Sequence, residues 1–144
     1  MKLKLFCCLS LLCLLKSNIT CAQEQICKIK FIANEGFLIN CNDRNILIDA
    51  LHYTPYRDGL NSTPVHLSDS IINTEGIFSH IDLFLVSHNH RDHFSPELTY
   101  RFLNGHKESV MISNNGSYNQ LESQYPDYHE FLPNRFLNLN PEPG

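Results

Sequence analysis

The stretch from Ile81 to Ser95, "IDLFLVSHNHRDHFS", constrains the fold more than any other part of the chain. Its first six residues are apolar except for Asp82, the pattern of a buried strand over Ile81 to Val86. "SPELTYRFLNG" then carries helix punctuation at both ends. Ser95 stands as N-cap, Pro96 at the first helical position, Glu97 near the positive end of the helix dipole and Gly105 as terminator. Between strand and helix lie three histidines and an aspartate within six residues. With a further strand expected over Val110 to Ser113, the succession strand, loop, helix, strand is the βαβ grammar of an α/β protein.

The remaining segments fit that class. "CKIKFIANEGFLINC" alternates Ile29, Phe31, Phe37 and Ile39 with Lys28, Lys30 and Asn40, which predicts two half-buried strands around the turn "NEG". With residues 33–35 as the loop, Cys27 faces Cys41 and a disulfide is expected; a register two residues away sets Cys27 against Asp43 instead. "RNILIDA" reads as a short strand over Ile46 to Ile48, ending at Asp49. Residues 52–79 hold two prolines, two glycines and little periodicity, a long excursion with a short helix expected within Leu67 to Phe78. Val110 to Ser113 is expected as a strand and Tyr118 to Tyr125 as a short helix. No internal repeat is visible, and 144 residues with 42% hydrophobic and 18% charged residues describe at most one ordinary globular domain.

The N-terminus has its own character. Lys2 and Lys4 precede an 11-residue run, Leu5 to Leu15, apolar but for Ser10, followed by polar residues and "TCAQ". A membrane-crossing helix needs about 20 apolar residues. The run suits a secretory signal over residues 1–22, cut after Ala22, which leaves a domain over 23–144 and an exported, periplasmic or secreted, protein without a membrane span. The alternative is a lipoprotein anchored through Cys21. Three of the 11 Lys and Arg and none of the 15 acids fall within 1–22, so residues 23–144 carry a formal charge of −7. That balance argues against nucleic acid as a partner, which requires clustered cations. Cys27 and Cys41 are the two cysteines that remain, and in an exported protein a pair suggests a disulfide.

The chemistry concentrates in "SHNHRDHF". In His88-Asn89-His90, alternation along an extended backbone sends both imidazoles to one side, and Asp92 and His93 follow around a bend. Imidazole and carboxylate donors together suit zinc, and zinc binding is expected to weaken below about pH 6 as imidazoles protonate. A merely solvated loop has no use for three close histidines.

His88, His90, Asp92 and His93 resemble the HxHxDH signature of the metallo-β-lactamase superfamily. "IKFIANEGFLINCNDRNILIDA" resembles that family's opening hairpin and following strand, with Asp49 at its first motif, and the likeness covers about residues 26–113. The resemblance implies an αβ/βα sandwich. It also implies that His88 and His90 bind a first Zn2+ ion, that Asp92 and His93 bind a second, and that Asp49 steadies the metal loop from behind the ligands. The implied reaction is zinc-dependent hydrolysis of an ester, lactone or phosphoester in a small-molecule substrate, by metal-bound hydroxide that Asp92 orients.

No stretch resembles the family's later motifs. The expectation is therefore the N-terminal half of such a sandwich, with an apolar face exposed where the other half would pack. The chain is then a fragment of a longer enzyme, a truncated product, or a half-fold completed by self-association. A non-catalytic metal-binding or interaction module is the competing reading. His106 and His129 are expected on the surface and His52 solvated, while Tyr53, Tyr56 and Arg57 are candidate substrate contacts from the long loop.

Overall fold

The computed structural model describes residues 26–53, 61–130 and 136–138. The expected signal segment and Tyr56 and Arg57 lie outside the described residues. The chain forms a six-stranded mixed sheet in the order β1 (Cys27–Ala33), β2 (Gly36–Cys41), β3 (Arg44–Ile48), β4 (Leu83–Leu85), β5 (Val110–Ser113) and β6 (Phe136–Asn138). The first three strands are antiparallel, and β3 to β6 run parallel.

The hairpin forms at the "NEG" turn, where Asn34 takes up a left-handed φ of 47°. Cys27 pairs with Cys41, and the two form a disulfide with Cα atoms 4.2 Å apart. Gly36 is required just after the turn: a Cβ there would lie 2.9 Å from the Ala33 carbonyl oxygen and 3.0 Å from the Ala50 Cα. That close approach brings the hairpin against the corner that follows β3.

The crossovers supply the helices. The long excursion contains α1 (Val65–Ile72) and a 3-10 turn at Gly76–Phe78. The helix α2 spans Pro96–Gly105, and Ser95 Oγ accepts from the Leu98 N–H as the sequence predicts. The helix α3 spans Asn115–Gln124, starting three residues before the expected Tyr118 because the Asn114 side chain caps it, accepting from the Ser117 N–H at 2.9 Å. The strand β4 covers Leu83–Leu85, the middle of the apolar run, and Asp82 and Val86 flank it with backbone bonds to Asn45 and Ile112.

The core lies on one face of the sheet. Register places Leu38, Leu47, Phe84 and Met111 in one row, and all four are buried. From the helices, Ile71, Ile72, Leu98, Phe102, Leu103 and Leu121 join the same buried cluster. Fully burying one such aliphatic or aromatic side chain contributes about 1.5–3 kcal/mol.

The opposite face is different. The same register puts Ile29, Phe31, Phe37, Ile39, Ile46, Ile48, Leu83, Leu85, Val110, Ile112 and Leu137 on it, and none of them is buried. Ile29 is 68% and Phe31 59% exposed. Among the described residues no helix covers this face, so the apolar side of the hairpin looks outward.

Candidate metal centre

The histidine cluster sits where the parallel strands β3, β4 and β5 end, the position at which open α/β sheets gather their functional loops. Asp49 leaves β3 with a left-handed φ of 43°, a conformation that aspartate tolerates better than most residues. Its N–H donates to the Leu85 carbonyl at 3.0 Å, which turns the buried carboxylate toward the loop after β4. There it accepts from the Ser87 N–H at 2.8 Å and from the Ser87 hydroxyl at 2.6 Å. A third contact joins Asp49 Oδ2 to His93 Nδ1 at 2.9 Å.

The loop then folds back on itself. The N–H groups of His93 and Phe94 both donate to the His90 carbonyl, at 3.0 and 2.9 Å. This turn carries Asp92 and His93 under His88, whose ring centroid lies 3.8 Å from that of His93. One ligand atom each from His88, Asp92 and His93 falls within 4.8 Å of the others. His93 Nε2 is 3.8 Å from Asp92 Oδ2, while its Nδ1 is held by Asp49. His90 stands edge to face with His88, ring centroids 4.7 Å apart, and its residue is exposed. The three donors that converge are thus drawn from both of the expected pairs, His88–His90 and Asp92–His93, because the backbone turns at His90 instead of running on extended.

Neighbouring segments brace the loop. Asn34 donates from its amide to the Asp92 carbonyl at 3.2 Å, and Asn114 donates to the Ser87 carbonyl at 3.2 Å. Gly116 in α3 leaves room for Asn89, whose side chain a Cβ would meet at 2.9 Å. Ser87, Asn34 and Asn114 were not legible as parts of the site, since each bond joins positions far apart in sequence and a single serine or asparagine carries no spacing signal.

Electrostatics favour the neutral form of His88. Burial pushes His88 below the usual histidine range, with repulsion from His93 and His90 adding to it and Asp49 and Asp92 opposing it. His52 is also lowered, first by burial, with the Ala33 backbone opposing. It is not solvated: its residue is 0% exposed, because Leu51 bridges to Phe94 and Thr63 donates to the His52 carbonyl, folding the start of the excursion inward. His106 is likewise buried instead of on the surface; it stacks on Phe102 and donates from Nε2 to the Ile71 carbonyl at 2.6 Å. The His129 side chain lies outside the described residues. Tyr53 is exposed, with its hydroxyl 3.5 Å from Glu97 Oε1.

The donor set fits a divalent cation. Two imidazoles and a carboxylate are donor types that divalent transition metals accept. Asp92 Oδ1 is buried without a hydrogen-bond partner among the described residues, a cost that a cation would offset.

No protein-family model and no curated protein matches the chain. A solved structure from Parabacteroides distasonis ATCC 8503, described as "Putative metal-dependent hydrolase", is similar at 20% identity and a TM-score of 0.46. The match covers 67% of this chain and 35% of that one, so the chain spans about a third of the length of that structure.

Proposed function

We propose that the chain carries the N-terminal half of a metallo-β-lactamase-like sandwich and serves a metal-dependent hydrolase acting on an ester, lactone or phosphoester. The convergence of ligand atoms from His88, Asp92 and His93 within 4.8 Å is the observation that carries this reading. The apolar sheet face left uncovered by the described residues supports it, since a second layer is what such a face requires.

Zinc held by His88, Asp92 and His93 would supply Lewis acidity. The chain's own residues do the rest. His88 and His93 offer ring nitrogens, and Asp92 offers a carboxylate that would balance a cation's charge. Asp49 holds His93 Nδ1, fixing which ring nitrogen faces the cation, the carboxylate–histidine arrangement common behind metal ligands.

The test is hydrolysis of generic phosphodiester and lactone substrates by the full chain. Zinc-dependent turnover lost both on chelation and in His93→Ala is expected. Turnover that survives either treatment would contradict the proposal, and tight zinc binding without turnover would favour a binding module.

A further inference from the structure

Two lysines of β1 stand on the covered side of the sheet. Register sets Lys30 beside Leu38 and Lys28 beside Asn40, in rows that continue to Leu47 and Asn45. Leu38 and Leu47 are buried, so the core face turns polar and cationic only toward β1. The 3-10 turn Gly76–Phe78 faces these strands, with the Phe78 ring centroid 5.9 Å from Lys30 Nζ. Between strands and turn lies a cavity of about 440 Å³, walled by Lys28, Lys30, Leu38 and Asn40 on one side and by Gly76 and Ile77 on the other. Small-molecule sites run from about 300 to 1,000 Å³. Asn45 also lines it, at the end of β3 away from Asp49, so the cavity is separate from the metal loop.

Its charge is one-sided. No acidic side chain lines it, and neither lysine forms an ion pair, among the described residues. The acids beside its walls are engaged elsewhere. Asp82 accepts from Arg44 at 2.6 Å and from the Asn45 N–H at 2.8 Å, and Glu75, next to Gly76, accepts from the Ser70 hydroxyl at 3.1 Å. The amides form a fixed polar wall: Asn40 donates to Asn45 Oδ1 at 2.7 Å, and Asn45 donates to the His80 carbonyl at 2.7 Å. Positions two apart on an antiparallel strand are about 6.8 Å apart, so the two flexible ammonium groups can both reach one anion. Opposite Leu38, Ile77 offers an apolar surface although it is 52% exposed.

We infer that this cavity binds a small organic anion, its carboxylate or phosphate head held by Lys28 and Lys30 and its aliphatic body against Leu38 and Ile77. A bare inorganic ion would leave most of the volume and both apolar walls unused. Lysines on an edge strand also deter strand pairing, but that role requires neither a cavity nor an apolar wall.

The experiment is a backbone-amide NMR titration of the full chain with octanoate, octyl phosphate and neutral octanamide at equal ionic strength, each below its aggregation limit. At least one of the two anions should give saturable shifts centred on Lys28, Lys30, Gly76 and Ile77, and the tighter of them identifies the head group. Octanamide should bind about tenfold more weakly, because hydrogen bonds to an ionised partner are the stronger kind. Lys28→Gln combined with Lys30→Gln should bring the anions down to the affinity of octanamide. Equal binding of octanamide and the anions, shifts centred on the open sheet face, or unchanged anion affinity in the double variant would overturn the inference. Absence of saturable binding by either anion would also overturn it, leaving the lysines as guards of the strand edge. Should the double variant fail to fold, the comparison of the anions with octanamide on the wild type decides alone.

Discussion

Asp49 governs the geometry of the loop through one carboxylate, which takes the Ser87 N–H, the Ser87 hydroxyl and His93 Nδ1. Asp49→Asn cannot accept all three, so zinc affinity should fall about 10–100-fold, as a chelator competition titration would show; unchanged affinity would remove Asp49 from the site. Acid should act on the ligands directly. Protons compete with metal for imidazole, and zinc binding should weaken progressively below about pH 6. Equal affinity at pH 5 and pH 8 would tell against histidine ligation. The local spacing marks the four loop residues as a cluster in sequence, and the structure brings His88, Asp92 and His93 together while leaving His90 outside that group. Asp49 was legible only through family resemblance, and His52 was misjudged because a lone histidine in a Pro- and Gly-bearing excursion has no pattern to mark it as buried.

Among elements, α1 and α2 are joined through His106, which donates to the Ile71 carbonyl at the end of α1. Burial, partly opposed by that carbonyl, lowers the His106 pKa below its ordinary value. A lowered folded-state pKa means that the unfolded chain takes up the proton first as pH falls. Stability from this group is thus complete above about pH 6.5 and is lost as pH drops toward the folded pKa. Burial of His52 and His88 acts in the same direction. Denaturant titrations should show His106→Gln less stable than wild type at pH 7.5 and less sensitive to acid between pH 7.5 and 5; parallel profiles would contradict this. The start of α2 was legible from its serine and proline, while its end falls one residue past the expected terminator, with Gly105 still helical and His106 as C-cap; the start of α3 was hidden because "SNNG" carries turn chemistry as readily as a cap.

At the scale of the whole molecule, the sheet has one face that is covered and one that is open among the described residues. Apolar patches of this extent mark interaction surfaces or aggregation liabilities. The double substitution Ile29→Lys with Phe31→Lys places charge on positions 68% and 59% exposed. It should reduce binding of a hydrophobic dye and cost little stability, as dye fluorescence and thermal melts would show; a large loss of stability would mean that these side chains are packed. The alternation in the hairpin was visible in sequence, but not which side would face the helices, since that depends on the strands and helices that follow. His88, Asp92 and His93 are proposed to hold one cation together. X-ray absorption at the zinc edge of the loaded full chain tests it most directly. The account expects a nitrogen and oxygen shell at about 2.0–2.2 Å with the outer-shell signature of two imidazoles, lost in His93→Ala. A shell without imidazole scattering, or one unchanged by that substitution, would contradict it.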